Sequence, residues 1–111
     1  MLEAPHREEF DWGSMEWLAQ GEGVEASLAR MVVCKGGVSP LHRHGNCNEI
    51  IHVLDGEIEQ RCGDVWGVMK TGDTVLVSSG EQHQTRNVGE RDAQMMICYS
   101  SGARDYEDLE T

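Results

Sequence analysis

His42 and His44 stand two positions apart, Glu49 follows five residues later, and His83 comes alone further along the chain. Two histidines two apart on a β-strand share a face, because strand side chains alternate with a period of two. A carboxylate shortly after them and a third imidazole from another strand can then converge on one divalent ion. Three neutral imidazoles and one carboxylate suit an octahedral or distorted first-row metal better than a closed structural zinc site. The expected cofactor is therefore a divalent metal ion, iron or manganese first, with zinc or nickel as alternatives. Four protein ligands on a six-coordinate ion leave two positions for water, dioxygen or substrate oxygens.

Such a cluster needs strands to hold it, and the chain supplies them. Glycines, not prolines, punctuate its middle: Gly36-Gly37, Gly45, Gly56, Gly63, Gly67, Gly72, Gly80 and Gly89. Between them lie strand-like runs over 26–34, 48–54, 57–62, 65–69, 74–77, 82–87 and 93–99, with Asp55-Gly56 and Gly63-Asp64 as hairpin corners. No stretch carries a sustained 3.6-residue apolar period. Many short strands predict an all-β sandwich or barrel. Alternation puts Glu49, Ile51 and Val53 on one face and Ile50, His52 and Leu54 on the other. His83, Thr85 and Asn87 share a face, while Arg43 and Arg86 point away toward carboxylates such as Glu57 or Glu59. A row of inward residues ending in a metal cluster describes a small barrel with a site inside it.

With 111 residues the chain is one domain. Its expected parts are an N-terminal arm and edge strand over 1–25, a barrel over 26–101, and an acidic tail over 102–111 that forms a short helix or stays loose. A net charge of -11 excludes the basic footprint that nucleic acid or an anionic membrane requires. No run is long and apolar enough to span a membrane, and the N-terminus lacks a signal-peptide layout, so a cytoplasmic protein is expected. Cys34, Cys47, Cys62 and Cys98 form no CxxC pair and read as small apolar residues, Cys47 being the one close enough to the metal to be a reactive thiol.

These residues resemble the cupin superfamily. Its first motif, G-x5-H-x-H-x(3,4)-E-x6-G, is matched by Gly36, His42, His44, Glu49 and Gly56. Its second, G-x5-P-x-G-x2-H-x3-N, is matched by Gly72, Gly80, His83 and Asn87, with Ser78 in place of the proline. The short separation of the motifs is similar to that of small single-domain microbial cupins. The resemblance implies a double-stranded β-helix, or jelly-roll, barrel, with His42, His44, Glu49 and His83 as metal ligands. It also implies a homodimer, in agreement with the doubly apolar strand around Ile50–Leu54. The family spans dioxygenases, decarboxylases, isomerases, storage proteins and regulators, so fold analogy does not choose a reaction.

The expected function is a metal-dependent enzyme acting on a small molecule, of dioxygenase or lyase/isomerase type. The alternative is a binding or sensory module that holds metal or a small ligand without turnover; a purely structural metal is the third reading. Met31, Cys47, Ile51 and Met96 are the expected lining of an apolar pocket over the metal. Tyr99, Tyr106, Cys47 and Glu81 are candidates for a further acid or base. Trp12, Trp17 and Trp66 are expected in the core or at a dimer contact.

Overall fold

The computed structural model describes residues 2–110. Its strands, in chain order, are β1 (His6–Phe10), β2 (Gly13–Ala19), β3 (Ser27–Val33), β4 (His42–Arg43), β5 (Glu49–Asp55), β6 (Glu57–Cys62), β7 (Val65–Lys70), β8 (Thr74–Val77), β9 (His83–Arg86), β10 (Ala93–Tyr99) and β11 (Glu107–Asp108). They form two antiparallel sheets, one in the order β1-β2-β3-β10-β5-β8 and one in the order β11-β4-β9-β6-β7. Among the described residues there is no helix, and so none able to cross a membrane.

The sheets face each other across one core. The period of two is visible along β10, where Ala93, Met95, Ile97 and Tyr99 are buried and Gln94, Met96 and Cys98 are only partly so. β3 and β5 repeat it with Ala29, Met31 and Val33, and with Ile51 and Val53. Ile58 and Met69 close the core from the five-stranded sheet. Each fully buried branched side chain of this set contributes ~1.5–3 kcal/mol by leaving water. The apolar alternation therefore fixes which face each ligand presents.

Two expectations are corrected. Asp55-Gly56 is not a hairpin corner: β5 and β6 lie in different sheets, and the chain crosses between them there. Gly56 makes the crossing possible with a φ of +105° and a close approach in which a Cβ would come within 3.0 Å of Ala93 Cα. The C-terminal segment is neither helical nor loose. Glu107 pairs with Arg43 and Asp108 with His42, so β11 binds the strand that carries a candidate ligand. Gly63-Asp64 does join a hairpin, between β6 and β7.

Candidate metal centre

β4 and β9 pair with His42 directly opposite His83, so the two rings meet, their centroids 4.1 Å apart. His44 lies just beyond β4, with its ring 4.8 Å from His42 and 5.1 Å from His83. Glu49 enters from the other sheet as the first residue of β5, held between Val77 of β8 and Tyr99 of β10. The four ligand-type atoms lie within 4.8 Å of one another.

The other nitrogen of each ring decides what those atoms present. Nδ1 of His42 lies 2.8 Å from the Pro40 carbonyl, that of His44 2.7 Å from the Asp105 carbonyl, and that of His83 3.1 Å from the Glu81 carbonyl. A carbonyl only accepts, so each Nδ1 carries the proton and donates it. In the neutral rings, the Nε2 lone pairs are left facing inward. Glu49 Oε1 sits 3.1 Å from His44 Nε2 and 2.9 Å from His83 Nε2. Yet these three buried atoms have no hydrogen-bond partner, although they come within contact distance of one another. Unsatisfied buried acceptors are costly. A divalent cation at their centre removes that cost, and the donor set fits one.

The electrostatics agree at His42 and Glu49. Burial, and then the neighbouring His83, push His42 down to about 3, so its ring is neutral at physiological pH. Burial opposes ionisation of Glu49, but His44 and His83 outweigh it and hold the carboxyl at about 2. His83 is shifted upward because Glu49 beside it outweighs its own desolvation.

Above the cluster opens a cavity of about 440 Å³. His42, Glu49 and His83 form its polar end, and Phe10, Trp12, Met15 and Met31 form an apolar wall. Of the expected lining, Met31 is there. Met96 is not: it points to the outer face of the sheet, opposite His52, and its neighbour Met95 takes the inward position. Ile51 is sealed in the core below the cavity, and Cys47 is buried away from it. Burial, Glu49 and Asp105 all push the Cys47 thiol up, which removes the basis for a reactive thiolate.

Tyr99 and Tyr106 both line the cavity, and Tyr106 stacks on His42 with ring centroids 4.8 Å apart. Glu81 contributes its carbonyl to His83, while the residue itself is exposed. Trp17 is in the core and Trp66 lies under Arg86, but Trp12 joins the cavity wall. Arg43 and Arg86 pair with Glu107 and Glu59, away from the centre. The sequence reading missed Arg104, which lines the cavity. The available signal was its position as the one cation in the acidic run 102–111.

Comparison with known proteins accords with this geometry. The family described as cupin domain matches residues 29–99, a span that holds all four clustered residues. A germin-like protein of Oryza sativa subsp. japonica is 34% identical over 80 residues, covering 68% of this chain and 36% of that protein. The chain thus spans less than half the length of the germin-like relatives it matches. Among solved structures, an oxalate oxidase superposes with a TM-score of 0.72 at 26% identity, over 77% of this chain and 46% of that one. A cupin-2 domain of Rhodospirillum rubrum superposes with a TM-score of 0.82 at 20% identity, over 96% and 76% of the two chains.

Proposed function

This chain belongs to the cupin family, and we propose that it is a metal-dependent enzyme acting on a small molecule, of dioxygenase or lyase/isomerase type. One observation carries the reading: three imidazoles, each with its Nδ1 proton held by a backbone carbonyl, and one carboxylate gather their free ligand atoms within 4.8 Å of one another at the end of a cavity. His42, His44, His83 and Glu49 would hold the ion, iron or manganese before zinc or nickel. Bound there, a divalent ion supplies Lewis acidity and, if it is iron(II), the means to activate dioxygen.

The chain's own residues do the rest. The wall of Phe10, Trp12, Met15 and Met31 takes up the apolar part of a substrate and excludes water from it. Tyr106 covers His42 and limits approach to the cluster from that side. Burial and the nearby Glu49 hold the Tyr99 phenol well above its ordinary value, so it stays protonated and acts as a donor, never as a base. The similarity to an oxalate oxidase, named for a reaction on a small carboxylate, supports an enzymatic reading.

A non-catalytic binding module is the second reading. It is favoured by the cavity lining, where, among the described residues, no histidine or cysteine beyond the candidate ligands is available as a further acid or base. Elemental analysis of protein purified without chelator, with oxygen uptake followed against catechols, diketones and small carboxylates, decides between them. Stoichiometric iron with substrate-dependent uptake supports the dioxygenase branch. Manganese, zinc or nickel without uptake directs the search to lyase or isomerase chemistry. A site that cannot be loaded overturns the enzyme reading.

We further propose that two copies pair through the outer face of the six-stranded sheet. Its cross-strand row Leu28, Cys98, Ile50 and Leu76 is apolar, and Ile50 and Leu76 are 43% and 59% exposed in the single chain.

A further inference from the structure

Arg104 is held in a way that no other arginine of the chain is. Arg7, Arg43, Arg61, Arg86 and Arg91 each pair with a carboxylate, and Arg30 is exposed to solvent. Arg104 lines the cavity, its Nε is buried without a hydrogen-bond partner, and among the described residues it forms no ion pair. Scarcity of acids does not explain this, since 20 Asp and Glu face 9 Lys and Arg. Three aromatic rings surround the guanidinium instead: Trp17 at 5.0 Å, Tyr99 at 5.2 Å and Tyr106 at 5.2 Å from centroid to Cζ. Ring faces offset part of the cost of desolvating the charge. They do not accept in-plane N–H donors in the fork geometry that matches a carboxylate.

The position of Arg104 ties it to the candidate metal centre. Tyr99 meets His44 edge-on at 5.2 Å and Tyr106 stacks on His42, so two of the rings that pack on the guanidinium also pack on ligand imidazoles. Phe10 and Trp12 stack on each other, 4.8 Å apart at 4°, so each ring covers one face of the other, and Trp12 with Met15 and Met31 gives the cavity an apolar wall. Two further carboxylates border the same space. Glu8 accepts from the Trp17 indole at 2.8 Å and Asp108 accepts from the Glu110 backbone at 2.8 Å. They add carboxylates to a lining in which, among the described residues, Arg104 is the one arginine or lysine, and so disfavour a second anionic group on a ligand.

We propose that the cavity takes a small monocarboxylate with a flat apolar body, its carboxylate gripped by the Arg104 guanidinium and its body laid against Trp12, Met15 and Met31. The inference names the substrate class for the function proposed above, and as a substrate assignment it rests on that reading. Arg104 supplies a bidentate, charge-assisted contact, the aromatic wall supplies area, and Glu8 and Asp108 select against dianions.

Calorimetric titration with benzoate, its uncharged counterpart benzamide and the dianion terephthalate tests this, on metal-free and zinc-loaded protein. Benzoate is expected to bind both forms and to exceed benzamide and terephthalate by at least about tenfold, the scale of one lost charge-assisted contact. Arg104→Gln should abolish the preference for benzoate over benzamide in both forms, and Arg104→Lys should keep part of it. Equal affinity for benzoate and benzamide in the wild-type protein overturns the proposal, and that comparison needs no variant to fold. So does benzoate binding that appears only with zinc and is unchanged in Arg104→Gln, which would make the metal the anion site and leave the metal reading intact. Failure to load any metal, with an Arg104-dependent preference for benzoate still present, overturns the enzyme reading and leaves the carboxylate site standing.

Discussion

His44 donates its Nδ1 proton to the main-chain carbonyl of Asp105 at 2.7 Å, although 61 positions separate the two residues. The contact fixes the tautomer that turns the Nε2 lone pair of His44 inward. The Asp105 side chain secures the arrangement by accepting from the backbone N–H groups of Gly45 and Asn46.

Asp105→Ala should therefore weaken metal binding although Asp105 is not itself a ligand. Partners of this kind are worth about 10–100-fold in affinity, and a loss in that range is expected in competition with a chromogenic chelator. Asp105→Asn, which keeps the side-chain acceptor, should recover most of it. An unchanged affinity in Asp105→Ala would show that the loop holds His44 without this anchor.

Removal of metal should lower thermal stability. An ion bound only by the folded state adds about 2.7 kcal/mol at a concentration one hundred times its Kd. In a domain of this size that raises the melting temperature by on the order of 10 °C. Scanning calorimetry with and without chelator checks it, and His83→Ala should show no such difference. A chelator-sensitive melting point in His83→Ala would place the ion elsewhere.

The metal-free protein should lose stability in acid. His42 takes up a proton near 6.5 when unfolded but only near 3 when folded, so from about pH 6.5 downward the unfolded state binds more protons and folding weakens. Glu49 adds to the loss between its ordinary 4.5 and its folded value of about 2. His83, shifted upward, works in the other window: its contribution is complete below its ordinary value and fades as pH rises through its folded value. Urea midpoints should peak near neutrality and fall toward pH 4. A midpoint flat from pH 7 to 4 would contradict this account of the cluster.

The outer-face pairing predicts a dimer in sedimentation at micromolar concentration. Leu76→Asp or Ile50→Asp, each placing charge in the centre of the apolar row, should give a monomer that keeps its fold and its bound metal. A wild-type monomer would remove the proposal.

Much of the centre was legible in the sequence because it follows from parity. Glu49, Ile51 and Val53 on β5 are buried as alternation requires, whereas on β9 Gln84 is buried along with His83 and Thr85, its amide held by the Ser39 carbonyl and Glu110. Met96 was misplaced by one position along β10; Ile97 is inward, but parity puts its even-numbered neighbour outward and Met95 inward. The remaining errors come from contacts that no local pattern encodes. β4 and β11 are two residues long, too short to show a period, and they are defined by pairing alone, β11 with β4 and β4 with β9 as well. Arg104 and Asp105 reach the centre through an irregular stretch that folds back over the barrel. The aromatic wall comes partly from β1 and the turn after it, where charged residues conceal the role of Phe10 and Trp12.

The return of the Asp105 segment to His44 also has a consequence for synthesis. A ribosome adding about 5–20 residues per second joins His42, His44 and Glu49 to the chain several seconds before it adds Asp105, whose carbonyl orients His44. The nascent barrel can gather imidazoles during that interval, but it cannot yet present them as the finished centre does. The tautomer of His44 is thus settled only once the segment around Asp105 has folded back onto it.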